Sequence, residues 1–323
     1  MGAYNNPILP GFNPDPSIVR VGADYFLVTS TFEYFPGVPI YHSRDLVRWT
    51  LIGHALTRRS QLDVRTPETG GGVWAPTIRH HDGAFYVATA CFDRYRPQAD
   101  EERVWPRGFY VRNEDVWDEG GRETFLVPVT WVDDWPVFNH GKEVGLVGEA
   151  EGLYRLESSP AWRDGFAAQE KMQLGWYRKN TPLKEDFSLT ERPGHLRLYG
   201  GPYTLSTPAC PTLFLRKQTH DPVTWETKLS FRPDSARTEA GAVVYWNQHT
   251  YSSIGIRRAS ENGTHGGRII RVRPAEGETR DFELKSSTSD VVLTIKSDHG
   301  YELGFREEFG LESEVEIQWV GRE

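Results

Sequence analysis

Between residues 17 and 60 apolar and polar positions alternate over short stretches, SIVRV, DYFLVTSTF, PIYHS and WTLIG, broken at Gly22-Ala23-Asp24, Pro36-Gly37 and Arg44-Asp45. A period of two in runs rich in β-branched and aromatic residues predicts strands, and strands this closely spaced predict a sandwich, barrel or propeller. A second set follows in the same order: WAPTIRHHDGAFYVATACF, turning at His81-Asp82-Gly83, then GFYVRNEDVW. DPSIVRVGADYFLVTS aligns with APTIRHHDGAFYVATA, an internal repeat at a spacing of roughly 60 residues, slightly longer than a usual propeller blade. GRETFLVPVTWVDDWPVFNHG reads as a hairpin turning at Asp133-Asp134. Residues 142–185 are mixed and charged, with one short helix expected around Ala167 to Leu174. From Asp186 alternation returns in HLRLYG, TLFLRKQ, TWETKLSF, AGAVVYWNQ, YSSIGIRR, RIIRVRP, VVLTIKS, YELGF and EVEIQWV. These predict an antiparallel sandwich whose inner face includes Leu196, Leu198, Val243 and Tyr245. The expected division is a β unit over 1–141, a connector over 142–185 and a sandwich over 186–323.

Composition narrows the function. The chain has 323 residues and a formal charge of −8, with no long basic run, which argues against a nucleic-acid surface and an anionic membrane. Eleven Trp, fourteen Tyr and sixteen Phe suit sheet packing, and equally the apolar face of a pyranose. Cys91 and Cys210 lie far apart, so neither a disulfide framework nor a zinc site is expected. His80 and His81 are adjacent and would point to opposite faces of a strand. No metal or cofactor is expected. The start, MGAYNNPILPGFNP, has no basic head or apolar core, and no stretch approaches the roughly 18 apolar residues of a membrane span. A cytoplasmic location is the expectation.

One carboxylate stands out. Asp15 lies between Pro14 and Pro16, and a residue before proline is restricted to extended conformations. A stiff, extended tether suits either a turn residue capping its own backbone or an acid or base held for chemistry.

The stretch NPILPGFNPDPSIVRVGADYFLVTSTFEYFPGVPIYHSRDLVRWTLIGHAL closely resembles the opening of glycoside hydrolase family 43, in its β-xylosidase branch, and GGVWAPTIRHHDGAFYV is similar to that family's second blade. RPGHLRLYGGPYTLSTPACPTLFLRKQT and FRPDSARTEAGAVVYWNQHTYSSIGI resemble the concanavalin-like sandwich that follows the propeller in this branch. The resemblance implies an all-β chain, a five-bladed β-propeller followed by an antiparallel, concanavalin A-like sandwich. It implies inverting hydrolysis of β-xylosidic or α-arabinofuranosidic bonds, with a xylo-oligosaccharide or arabinoside as substrate. By the same resemblance Asp15 matches the general base, and Trp74 and Phe32 match aromatic positions near the sugar. The alternative for each ring is a purely structural one, for Trp74 packing within a blade. Inversion needs one carboxylate to activate water and a protonated carboxyl to serve the leaving oxygen.

The chain also departs from the family pattern. The acid Glu, the Asp that tunes it and a sugar-holding Arg are not found, so the general acid is unknown. Glu33, Glu68 and Glu123 are the candidate substitutes, and each reads better as a surface or hydrogen-bonding residue. Five blades need roughly 200–250 residues, whereas 141 precede the connector. The propeller is therefore expected to be incomplete, with middle blades missing near Gly120-Gly121 and an open edge that invites association of copies. The sandwich is expected to stop short at Gly321-Arg322-Glu323. The alternatives to impaired hydrolysis are an inactive carbohydrate-binding remnant and a fragmentary gene model.

Overall fold

A computed structural model of the chain describes residues 2–65, 67, 69–92, 124–150, 161–167, 171–259, 267–308 and 318–322. Among them the regular structure is β-strand, apart from one 3₁₀ turn at Asn139–Gly141. No helix of the described residues is long and apolar enough to cross a membrane. The helix expected around Ala167 does not form over the described part, Ala167 and residues 171–174. Phe166 there adopts φ +46°, outside the right-handed helix. Asp164 instead accepts hydrogen bonds from the Phe166 N–H at 2.9 Å and the Trp176 indole N–H at 3.0 Å, which fixes a loop.

The chain divides into two compact units, Met1–His220 and Asp221–Glu323. In the first, the strands Ser17–Val21, Asp24–Val28, Gly37–Ser43 and Thr50–Leu56 form a four-stranded antiparallel sheet in chain order, one complete blade. The repeated segment forms a second hairpin, Gly72–His81 with Ala84–Phe92. Asp82 and Gly83 both take positive φ, 48° and 76°, as a two-residue turn matched to strand twist requires. Asp133 and Asp134 do the same, at 49° and 63°, between Val129–Val132 and Trp135–Phe138. GFYVRNEDVW lies outside the described residues. Among them, Ala84–Phe92 is paired on one side alone and leaves Phe85 and Tyr86 exposed.

Later chain returns to this unit. Tyr177–Lys179 is the middle strand of a three-stranded sheet between Tyr34–Phe35 and Phe214–Leu215, and Gly2–Asn5 pairs with Val147–Ala150. The division between the units accordingly falls after His220, later than residue 186. The buried cluster Val28, Val38, Leu62, Val64, Val73 and Ile78 joins the first blade to the second hairpin.

The second unit is a sandwich of two four-stranded antiparallel sheets. One orders Val223–Leu229, Val291–Ser297, Tyr301–Glu307 and Gln318–Arg322; the other orders Glu239–Tyr245, Tyr251–Arg258, Arg268–Arg273 and Arg280–Glu283. Its core holds Ile254, Ile256, Ile270, Val272, Val291, Leu293, Ile295, Leu303 and Phe305. Ala242 and Val244 pack against it, so Val243 and Tyr245 belong to the opposite face of their strand, reversing the expected alternation. Leu196 and Leu198 fall within the first compact unit, where Leu198 is exposed.

Candidate active site

The site is built at the ends of strands in the first unit. Asp15 lies two residues before the strand Ser17–Val21, but its φ is +56°, not extended. Aspartate tolerates the left-handed region better than most residues, and the surroundings hold it there. The Ser30 N–H donates to the Pro14 carbonyl at 2.9 Å, and the Ser30 hydroxyl donates to Asp15 Oδ2 at 2.6 Å. That same hydroxyl oxygen accepts the Ala75 N–H at 2.6 Å. Ser30 is completely buried. With the Ala75 N–H aimed at its oxygen, the single hydroxyl proton is directed to the carboxylate.

Ala75 follows Trp74, and here the pairing of Gly72–His81 with Ala84–Phe92 slips, with a register shift between Trp74 and Thr77. Such bulges re-aim side chains beside sites. The Trp74 indole N–H donates to the Gly70 carbonyl at 2.9 Å, which fixes the plane of its ring. Phe32 exchanges two 2.9 Å backbone hydrogen bonds with Val73, and its ring centroid lies 5.7 Å from that of Trp74 and 5.4 Å from that of Phe12. The approach depends on Gly72, at φ +94°: a Cβ there would fall 2.1 Å from the Phe32 carbonyl oxygen. One hydroxyl thus ties Asp15 to the backbone beside Trp74, and Trp74 adjoins Phe32. All three residues singled out in the sequence come together.

Of the three glutamates, Glu68 and Glu123 lie outside the described residues. Glu33 is 3% exposed, with the Gly70 N–H donating to its Oε2 at 3.3 Å. Burial raises its carboxyl above the usual range, against the pull of backbone N–H groups and Lys179. Sequence reasoning missed Ser30 and the buried Asn13 beside the Asp15 loop. The signal for Ser30 was three consecutive hydroxyl residues, Thr29, Ser30 and Thr31, closing an apolar strand, all buried here. No group of three or more His, Cys, Asp or Glu able to hold a metal occurs among the described residues.

Residues 4–111 match the model of glycosyl hydrolases family 43, and residues 163–321 match that of the beta xylosidase C-terminal concanavalin A-like domain. The chain thus carries a glycosyl hydrolase family 43 domain and that C-terminal domain. It is 27% identical, over 90% of its length and 82% of the relative's, to a Bacteroides ovatus non-reducing end alpha-L-arabinofuranosidase. That alignment runs over 448 positions, more than the chain's 323 residues, so the relative has residues where this chain has none. A Humicola insolens xylosidase/arabinosidase is 55% identical over 64% of the chain, which covers 38% of that relative. The solved structure of a Bacteroides ovatus xyloglucan-locus protein of this family superposes with a TM-score of 0.81 at 25% identity, over 100% of this chain and 92% of that one.

Proposed function

We propose that the chain is a glycosidase of the exo-β-xylosidase or α-L-arabinofuranosidase type, acting with inversion, in which Asp15 is the general base and Phe32 and Trp74 hold the sugar. The observation that carries this is the link from Asp15 through the Ser30 hydroxyl to Ala75, beside the Phe32–Trp74 pair. A base must be aimed before it can be useful. The bond to Ser30 orients the carboxylate toward a water on the face of the sugar opposite the leaving oxygen. Asp15 takes the water's proton as the oxygen bonds to the anomeric carbon and the glycosidic bond breaks. The aromatic pair covers apolar C–H surface of the ring. Xylosidase and arabinofuranosidase names among the relatives support the substrate class. Proton delivery to the leaving group is assigned to no residue, so leaving groups that need little protonation are the natural first substrates.

The test is hydrolysis of 4-nitrophenyl β-D-xylopyranoside and α-L-arabinofuranoside by the full chain and its Asp15→Asn variant, with the anomer first released read by NMR. The expected result is an inverted product and a loss of about 10²- to 10⁴-fold in kcat for Asp15→Asn. A variant as active as its parent, or a retained anomer, overturns the assignment.

A further inference from the structure

Two residues before Asp15, Asn13 is 2% exposed and bonded from four parts of the first unit. Its Oδ1 accepts from the Tyr41 hydroxyl at 2.7 Å and from Lys217 Nζ at 2.6 Å. Its side-chain N–H donates to the Pro10 carbonyl at 2.9 Å, and its own carbonyl accepts the Thr124 hydroxyl at 3.1 Å. Lys217 comes from far along the chain, just beyond the strand Phe214–Leu215, and its Nζ lies 5.2 Å from the centroid of the Tyr177 ring. The backbone around Lys217 also presses on the loop. Gly11, at φ +84°, passes so close that a Cβ would stand 2.6 Å from the Gln218 carbonyl oxygen and 3.4 Å from Lys217 Cβ. Burial of its amino end pulls Lys217 down to about 7, because a charge there is cut off from water, so near neutral pH the amine carries its proton in only part of the molecules.

We propose that Lys217 is a positioning residue for the catalytic base: by holding Asn13 it sets the conformation of the loop that ends in Asp15. Pro14 and Pro16 leave that loop few ways to relax, and Asp15 sits in the left-handed region. A shift of Asn13 therefore passes to Asp15 through a short, stiff link. Ser30 holds the carboxylate end and Asn13 the backbone end, so Asp15 is fixed at two points. Charged or neutral, the amine keeps an N–H for the Asn13 oxygen, and the bond is stronger in the charged form. Lys217 touches neither sugar nor water in this scheme.

The test uses the full chain with Lys217→Met, which keeps length and removes the donor, and Lys217→Arg, which restores a cationic donor. Tyr41→Phe, which removes the other donor to the same oxygen, is the milder probe and decides the matter should Lys217→Met not fold. The first readout is the ¹³C carboxyl resonance of Asp15 in aspartate-labelled protein, assigned by its absence in Asp15→Asn. The expected result is a displaced Asp15 resonance in Lys217→Met, a smaller displacement in Tyr41→Phe and a partial return in Lys217→Arg, with resonances of second-unit aspartates such as Asp281 unmoved. The second readout is hydrolysis of 4-nitrophenyl β-D-xylopyranoside. There kcat falls about 10- to 100-fold in Lys217→Met while KM stays within about twofold. The kinetic arm rests on Asp15 being the base, and the resonance does not. An unmoved Asp15 resonance overturns the proposal whatever the rates. A moved resonance in a chain without hydrolysis sinks the proposed reaction and leaves the positioning role standing.

Discussion

The two units spend their buried volume differently. The sandwich core is nine aliphatic or aromatic side chains from facing sheets, and its ion pairs, such as Arg273 with Glu239 and Arg271 with Asp281, sit outside it, partly open to solvent. The first unit buries Asn13, Ser30, Glu33, Arg178, Lys179 and Asp186, whereas among the described residues of the second the buried ionisable side chain is Arg268, bonded to the backbone carbonyls of Phe231, Ser286 and Ser289. It also bends its backbone where the sandwich does not. Among the described residues of the second unit, one non-glycine residue has positive φ, His299, whereas Asp15, Phe32, Val38 and Ala75 all do so in or near the candidate site. For β-branched Val38, at +58°, that conformation is a genuine outlier. Strain of about 1–3 kcal/mol per residue persists only where surroundings impose it, and such residues gather at functional sites. An apolar core can be built from regular strands. A carboxylate held in one orientation, as Asp15 is by Ser30, needs buried polar partners, and those force the backbone out of regular geometry.

If that contrast holds, breaking one buried polar pair in the first unit costs at least as much as emptying part of the sandwich core. Arg178 and Asp186 form a buried ion pair, and the Arg178 guanidinium also lies 4.1 Å from the centroid of the Phe214 ring. Asp186→Ala leaves the guanidinium uncompensated, with an expected loss of about 3–5 kcal/mol in urea unfolding. The double change Arg178→Met with Asp186→Leu should recover most of it, because a well-packed apolar pair replaces two charges. A single-variant loss below about 1 kcal/mol would remove the contrast. In the sandwich, Leu293→Ala deletes a completely buried side chain. About 2–5 kcal/mol is expected, depending on how far the cavity collapses. Val243→Ala, on the other face of its strand, should cost clearly less, and equal costs would contradict the reversed alternation.

That alternation shows where the sequence was readable. YSSIGIRR and VVLTIKS become the strands Tyr251–Arg258 and Val291–Ser297 at their expected bounds, because breakers flank them. Asp82-Gly83 and Asp133-Asp134 turn where turn chemistry requires. In AGAVVY, however, both phases are apolar: Ala240, Ala242 and Val244 on one, Gly241, Val243 and Tyr245 on the other. Periodicity cannot choose between them, and only the opposing sheet does. At the site, Asp15, Phe32 and Trp74 were visible through long motifs resembling a family. Lys217 was not, since it acts on a partner distant in sequence and carries no local signature, and for Ser30 the hydroxyl run Thr29-Ser30-Thr31 does not say which partner it meets. The conformation of Asp15 was misjudged for the same reason. The flanking prolines argue for an extended residue, and the tertiary bonds through Ser30 and Asn13 override them.

Acid should also separate the units. His54 belongs to the first unit, its Nε2 3.2 Å from the Tyr177 hydroxyl. Burial, with the Lys217 charge adding to it, pushes its pKa down to about 4 from the ordinary 6.5. Below pH 6.5 the unfolded chain binds a proton that the folded chain refuses. The stability His54 contributes is therefore whole above about pH 6.5 and drains away as pH falls through 4, by about 3 kcal/mol in all. His54→Asn removes the titration, so its melting temperature should fall less steeply than the parent's between pH 6.5 and 4. Parallel curves for variant and parent would show that His54 is not held neutral.

The smallest effect belongs to the sandwich surface. Arg271 and Asp281 face each other across adjacent strands, the guanidinium donating from Nε at 2.7 Å and Nη2 at 2.6 Å to the two carboxylate oxygens. The geometry is bidentate, but the Asp281 side chain is 40% exposed, and water screens both charges. Desolvating them is not required, so little is gained by pairing them, and two long side chains lose rotamer freedom. A double-mutant cycle with Arg271→Met and Asp281→Asn should give a coupling of about 0.2–1 kcal/mol at low salt, shrinking as salt shortens the screening length. The same cycle on Arg178 and Asp186 should give several times more and respond little to salt. A coupling above about 2 kcal/mol at the surface pair would mean that bidentate geometry, rather than burial, sets the strength of charged pairs in this protein, and the difference drawn between the two units would lose its physical cause.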